Sequence, residues 1–162
     1  MKQALYVFIA ALGLSLAACQ PKNPPVVEED PHSQMQVLVN GIGVIHQDTT
    51  IVVHDALLSL SGEMQMEVRG EFQNVVKKLE VFITRSAIDR IDEFCTANTC
   101  TMCNGEEQQH LSFNLGEETS ATWFAHYTLP ETGDTDYIVS YKFVNYDREM
   151  TLTVHYDYQE SE

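Results

Sequence analysis

Residues 63–72 read EMQMEVRGEF, and polar and apolar side chains alternate one by one along this stretch. A period of two is typical of a β-strand with one face buried and the other in water. The same period recurs at 79–84, 111–115, 137–143 and 152–158, and segments 35–45 and 49–54 are rich in β-branched residues and glycine. No window longer than about two turns favours the helical period. The pattern therefore predicts an all-β protein.

Turn-forming residues separate these segments and predict hairpins between successive strands. The predicted turns are Asn104-Gly105, Leu115-Gly116, Thr132-Gly133-Asp134 and Asn145-Tyr146-Asp147. Seven to nine short strands at regular spacing indicate an antiparallel β-sandwich over residues 35–162, with a small barrel as the alternative.

The first residues have the composition of an export signal. An apolar run from Leu5 to Leu16 follows Lys2 and ends in Leu16-Ala17-Ala18-Cys19. Small residues at the end of such a run are typical of a secretory signal, and the run is shorter than the roughly 20 residues that a membrane-spanning helix needs. Leu-Ala-Ala-Cys resembles the bacterial lipobox, which implies removal of residues 1–18 and lipidation of Cys19. Acyl chains such as palmitate would then anchor the chain without crossing the membrane.

Residues 19–34 follow as a predicted tether. Segment 20–34 reads QPKNPPVVEEDPHSQ, with four prolines and an acidic cluster at Glu28-Glu29-Asp30. Such a sequence favours an extended chain, which would reach roughly 45 Å from the lipid surface. Gln20 stands where enterobacterial lipoproteins of the inner membrane carry Asp, so this resemblance implies the outer membrane and leaves the periplasmic or surface-exposed face open.

The chain is strongly acidic. Nine Lys and Arg stand against 24 Asp and Glu in 162 residues, a formal charge of −15, and loss of residues 1–18 would make it −16. A surface of this charge repels phosphate backbones, so nucleic-acid binding through a basic surface is excluded. The acids lie in the tether and on predicted outward faces of strands, where they favour solubility.

Three cysteines remain after Cys19, within FCTANTCTMCNG at 94–105. Exported proteins usually pair nearby cysteines, so we expect one disulfide, from Cys95 to either Cys100 or Cys103. One alternative is a redox pair of Cys100 and Cys103; another is zinc held by the three thiolates and His110. Because neither a helical redox framework nor paired C-x₂-C spacing is present, we predict no metal and no cofactor.

The aromatic residues Trp123, Phe124 and Tyr127 have two possible roles. They are expected to anchor the core, and an exposed member would offer a binding platform. His126 and His155 lie on predicted strands and are interpreted as cross-strand or surface residues.

No catalytic residues are predicted. The chain has no G-x-S-x-G elbow, H-E-x-x-H motif, phosphate loop or dinucleotide fingerprint, so we predict that it is not an enzyme. Leu129-Pro130-Glu131-Thr132-Gly133 matches a sortase signal but is expected to form a hairpin turn. Asp48-Thr49-Thr50 resembles the O-glycosylation sequon of Bacteroidota.

From about Gly62 onward the chain resembles small lipoproteins of Bacteroidota. The resemblance lies in Phe94-Cys95 with the nearby Cys100, in LSFNLGEETSATWFAHY ending at His126-Tyr127, and in the strand from Tyr137 to Phe143. It implies an immunoglobulin-like sandwich and no established activity. We thus predict a lipid-anchored, non-catalytic binding or scaffolding module with a protein partner in the envelope. The alternatives are a metal- or redox-handling module using the three cysteines, and an adhesin or fimbria-like subunit.

Overall fold

The computed structural model describes residues 34–103, 105–132 and 135–159. The predicted signal segment, Cys19 and residues 20–33 of the tether lie outside these residues. The described chain forms strands and no α-helix, and so contains no helix that could span a membrane. The strands are β1 (Gln36–Val39), β2 (Gly43–Ile45), β3 (Thr49–Val53), β4 (Leu57–Leu58), β5 (Met64–Gln73), β6 (Lys77–Arg85), β7 (Ile91–Thr96), β8 (Thr99–Cys103), β9 (Gln108–Gly116), β10 (Ser120–Thr128), β11 (Tyr137–Asn145) and β12 (Arg148–Tyr156).

These strands form two sheets. The first has the order β2-β1-β5-β10-β7-β8, with β4 also beside β5, and the second has the order β3-β12-β11-β6-β9. Neighbouring strands are antiparallel, except that β3 runs parallel to the last strand, β12. The chain is an immunoglobulin-like antiparallel β-sandwich. The predicted fold class is confirmed, and the barrel alternative is wrong because two separate sheets face each other.

The core follows the period-2 pattern. On β5 the side chains of Met66, Val68 and Phe72 point inward, and on β11 those of Tyr137, Val139, Tyr141 and Phe143 do the same. An aromatic cluster joins the sheets: the ring centroids of Trp123 and Phe143 lie 5.8 Å apart, and those of Phe72 and Phe143 lie 5.0 Å apart. Aromatic pairs in these arrangements contribute about 1 kcal/mol each beyond the burial of their area.

Two sequence predictions about strand connection are wrong. Residues 34–159, as far as they are described, form twelve strands in place of seven to nine, because pieces such as β2 and β4 are too short to show a period. Only Asn145-Tyr146-Asp147 joins two neighbouring strands, β11 and β12; the other predicted hairpin turns lie between strands of different sheets. Turn composition marks a change of chain direction and does not specify which sheet the next strand enters.

A buried ion pair lies between the sheets. Arg85 Nε donates to Asp92 Oδ1 at 2.8 Å, the Tyr137 hydroxyl donates to the same oxygen at 2.7 Å, and both charged side chains are fully buried. Arg85 also donates to the Glu106 carbonyl and to Gln109 Oε1. Burial raises the pKa of Asp92, against the hydrogen bonds from Arg85 and Tyr137, which lower it. The network ties β6, β7, β9 and β11 together at one end of the sandwich.

We expect Gly70→Ala to lower the free energy of unfolding by about 3 kcal/mol, since overpacking a core forces its neighbours to shift. A Cβ at this position would lie 2.0 Å from the Leu38 carbonyl oxygen and 2.7 Å from the Trp123 ring. Urea unfolding measures the change. Glu71→Ala, on the outward face of the same strand, is the control, and an equal loss in both variants would contradict the explanation.

We expect Asp92→Ala to cost about 4 kcal/mol, because it leaves the Arg85 guanidinium buried without its carboxylate. The double variant Arg85→Met/Asp92→Leu should be more stable than Asp92→Ala, since it removes both buried charges. Chemical unfolding of the three proteins gives the comparison. A double variant less stable than Asp92→Ala would show that the ion pair is a net source of stability.

Candidate functional site

The structure joins Cys95 to Cys100 in a disulfide. The two residues face each other directly across the β7–β8 hairpin, with Cα atoms 4.0 Å apart. Of the two pairings that the sequence left open, the register of this hairpin selects the shorter one. Cys103 ends β8 and pairs with Asp92 of β7 in the backbone register.

The predicted zinc ligands are not brought together. His110 lies on β9 of the second sheet, where its ring stacks on Phe82 at 4.4 Å and its Nε2 lies 3.2 Å from Glu80. The disulfide lies in the first sheet, where the Glu93 carboxylate lies within 4.8 Å of both sulfurs. The disulfide occupies both sulfurs, including that of Cys100, which the redox alternative would pair with Cys103.

The aromatic group divides between two faces of β10. Trp123 and Tyr127 are buried in the core, so they offer no ring face to a ligand, and the binding-platform hypothesis fails for these two residues. Phe124 points outward and stacks on His126. His126 Nε2 lies 3.2 Å from Glu93 on the neighbouring strand, and His155 pairs with Asp136. Both histidines thus occupy the cross-strand or surface positions that the sequence indicated.

The structure places two of the short sequence motifs, the sortase-like segment and the possible glycosylation site. The segment from Leu129 to Thr132 lies between β10 and β11, which belong to different sheets, so the predicted hairpin turn is wrong there. Gly133 lies outside the described residues. The Asp48 side chain accepts a hydrogen bond from the Thr151 backbone at 2.8 Å, and Thr50 is exposed on β3. Glycosylation at Asp48-Thr49-Thr50 stays a prediction.

The most exposed aliphatic residues of the described chain are not among the predicted site residues: Leu57, Leu58 and Leu60, which we call the leucine tip. Leu57 and Leu58 form β4 and are 65% and 70% exposed, and Leu60 in the following turn is fully exposed. Leu57 pairs with Gln65 and Leu58 with Met64 of β5. Because contiguous exposed apolar patches often mark interaction sites, we take the leucine tip as the candidate binding site of the described chain.

Hydrogen bonds hold the turn that carries Leu60. The Ser59 amide donates to the Glu63 carbonyl at 2.8 Å, and the Gly62 amide donates to the Ser59 carbonyl at 3.0 Å. Ser61 Oγ donates to the Glu63 carboxylate at 2.8 Å, and the Glu63 amide donates to Ser59 Oγ at 3.1 Å. Gly62 has a φ of +88°, which glycine adopts without strain. The turn therefore presents Leu60 on a fixed backbone.

The leucine tip lies at the end of the sandwich opposite to the one where the described chain begins. The Asn74 side chain donates a hydrogen bond to the Gln34 carbonyl just after the last residue of β5. The first residue of β5, Met64, pairs with Leu58 of the tip. Strand β5 has ten residues, so the two ends are about 30 Å apart. We call them the entry end and the tip end.

Two exposed acidic residues flank the tip in the sequence, and a third lies at the same end of the sandwich. The flanking residues are Asp55 and Glu63, and the third is Asp157, which lies beside His54. The sequence contained one signal for this site. The stretch ALLSLSGE at 56–63 has three leucines in five residues next to acidic and small polar ones, without the alternation that fits a core strand.

No protein-family model matches the chain, and no curated protein sequence matches it. Similar solved structures include CfaE, the adhesive subunit of the CFA/I fimbria of enterotoxigenic Escherichia coli, at 9% identity and a TM-score of 0.42; the match covers 78% of this chain and 49% of that one. PapD-like domain 7 of human CEP192 has 10% identity and a TM-score of 0.36, over 89% of this chain and 94% of that one. The chain spans about half the length of the fimbrial subunit. At these values neither protein's role carries over to this chain.

We expect Cys100→Ser to lower the free energy of unfolding by about 2 kcal/mol, because the disulfide closes a loop of only a few residues in the unfolded chain. Thermal or urea unfolding with and without a dithiol reductant measures this loss. The reductant should destabilise the native protein by the same amount and leave Cys100→Ser unchanged. Equal sensitivity of both proteins to the reductant would contradict this assignment.

Proposed function

We propose that this protein is a lipid-anchored, non-catalytic binding module of the cell envelope. In this proposal Cys19 carries the anchor, residues 20–34 form the tether, and the leucine tip contacts a partner protein. The observation that carries the proposal is the exposure of three leucines on a hydrogen-bonded turn at the end opposite to Gln34. A tether attached at the entry end would hold the tip away from the lipid.

The charge near the tip favours a protein partner over a lipid surface. Asp55 and Glu63 are exposed beside the leucines, and acidic side chains are repelled by anionic headgroups. An apolar centre with a charged rim is the usual arrangement of a protein interface. We therefore infer a partner with an apolar pocket and basic residues around it.

The internal polar groups support binding rather than catalysis. The fully buried ionisable pair, Arg85 and Asp92, lies between the sheets and is used in the fold. Burial raises the pKa of Tyr137, Tyr141 and Tyr156 further above physiological pH, which makes these phenols poorer bases or nucleophile precursors than exposed tyrosines. The described groups whose pKa is raised by burial, Asp92 and these three tyrosines, are therefore not exposed to a substrate.

Photo-crosslinking in the producing cells tests the proposal. A photoreactive amino acid in place of Leu60 should crosslink one envelope protein, and the same group in place of Val76 at the entry end should not. Val76 is a matched position because it is also exposed and apolar. Leu58→Ser/Leu60→Ser should lower partner recovery about tenfold, and Val76→Ser should leave it unchanged. Crosslinks from both positions alike, or from position 60 to lipid, would reject the proposal.

The anchor is tested separately. Cys19→Ser should release the protein from the membrane fraction and leave capture of the same partner in detergent unchanged, because the tip does not depend on the lipid. Metabolic labelling with a palmitate analogue should be lost in the same variant. Retention in the membrane without label would refute the anchor.

A further inference from the structure

The outer edge of β9 is a long open strand edge. Strand β9 has nine residues and ends the second sheet, with β6 on its inner side and no strand of the described chain on the other. The other edge strands, β2, β3, β4 and β8, have two to five residues. Short edge strands are one means by which proteins avoid pairing with other chains, and β9 is not protected in this way.

The backbone of β9 presents a regular row of hydrogen-bonding groups to this edge. The Arg85 amide donates to the Glu107 carbonyl, and the register continues with Ile83 opposite Gln109. Antiparallel strands alternate the side to which their backbone groups point. The amides and carbonyls of every second residue therefore face the open edge; these residues are Gln108, His110, Ser112 and Asn114.

The sequence of β9 carries none of the usual protective residues. Its residues QQHLSFNLG contain no Lys, Arg, Asp, Glu or Pro, although the chain as a whole is 20% charged. The register shift between β6 and β9 lies at Lys77/Lys78, next to the last residue of β9. Over the preceding residues the edge is regular.

Apolar side chains next to the edge are incompletely covered. Phe113 is buried and its ring lies 6.0 Å from that of Phe94, whereas Leu111 and Leu115 on the same face are only partly buried. A further strand beside β9 would place its own inward side chains against these leucines. Main-chain hydrogen bonds would then supply affinity and the apolar row would supply register.

Acidic pairs stand at both ends of this uncharged strand. Glu106 and Glu107 precede β9, Glu117 and Glu118 follow it, and all four are exposed. Lys78 is paired with Glu80, and Lys77 lies opposite Gly116 in the strand register, next to the second acidic pair. In an antiparallel dimer of two β9 strands each acidic pair would meet the acidic pair of the other copy, which disfavours self-pairing.

We propose that β9 is a strand-addition site for an extended segment of another protein, about nine residues long, uncharged in its centre and basic at both ends. The charges at the ends of β9 select this partner over a second copy of the chain. The chain's own segment 20–34 fits poorly because it contains four prolines and three acidic residues. The site is separate from the leucine tip, and binding there does not require the tip.

Fluorescence anisotropy with two synthetic peptides tests the site. The peptide KKTVTVTVTKK should bind the domain, residues 20–162 with the anchor removed, about tenfold more tightly than EETVTVTVTEE. Hydrogen exchange should show slower exchange at the outward amides of β9 when the basic peptide is added, since these amides gain partners. Equal affinity for both peptides, or no slowing at β9, would overturn the proposal.

Substitutions on β9 separate backbone pairing from other contacts. Ser112→Pro removes one outward amide that the fold does not use, a position where edge strands accept proline, and should weaken the basic peptide about tenfold. Ser112→Ala keeps the amide and should bind as the native domain does. Urea unfolding checks that the proline variant is folded, and unchanged binding by the folded variant would refute pairing at this edge.

Charge reversal gives a test that leaves the strand unchanged. Glu117→Lys/Glu118→Lys should reduce the preference for the basic peptide. The charge-matched control Asp147→Lys/Glu149→Lys, at exposed positions in the β11–β12 hairpin, should not. Leu58→Ser/Leu60→Ser should bind both peptides as the native domain does. If this variant loses its envelope partner but keeps peptide binding, the loss tests the leucine tip and not the β9 edge. Sedimentation that shows a dimer dispersed by Ser112→Pro would replace the proposed partner with a second copy.

Discussion

The Trp123 ring packs over Gly70 within the first sheet and from there contacts Phe143 of the second sheet. The Trp123 ring occupies the space that a side chain at position 70 would fill, directly across the β5–β10 pair. Phe94 and Phe143 then pack against the indole, one from each sheet. With these large rings packed between the sheets, every second residue of each long strand faces inward, and most of these residues are apolar. The exposed residues that we assign to binding are exposed because this core leaves them on the outer side or at the ends.

The two ends of the sandwich are built differently. At the tip end, the Arg85–Asp92 pair and Tyr137 link strands of both sheets by buried hydrogen bonds. At the entry end, the Asn145 amide bonds the backbone of Val76 and Lys78 and holds the β5–β6 loop. Buried hydrogen bonds therefore stabilise both ends of the sandwich. The leucine tip lies at the end that the Arg85–Asp92 pair stabilises.

The sequence was most informative where burial alternates. The strands at 63–72, 79–84 and 137–143, and the all-β class, follow from period 2. The sequence grouped Trp123, Phe124 and Tyr127 together, and the structure shows that Phe124 lies on the opposite face of β10 from the other two. Pairing was not predictable, because it depends on contacts between distant segments. For that reason the disulfide partner of Cys95 stayed open until the β7–β8 register was known. The leucine tip was missed for the same reason: the lack of alternation at 56–63 argues against a core strand, but it does not show whether another strand covers the leucines.

The position of the chain entry opposite the leucine tip also sets how the domain would respond to mechanical load. A pull between Gln34 and the tip runs along the strands, because β1 pairs antiparallel with β5 and the tip is attached to the far end of β5. The hydrogen bonds between β1 and β5 would be sheared together, and peeling them one at a time would require a pull across the sheet. Breaking several bonds at once takes more force than breaking them in sequence, so the domain is oriented to stay folded under tension along its long axis.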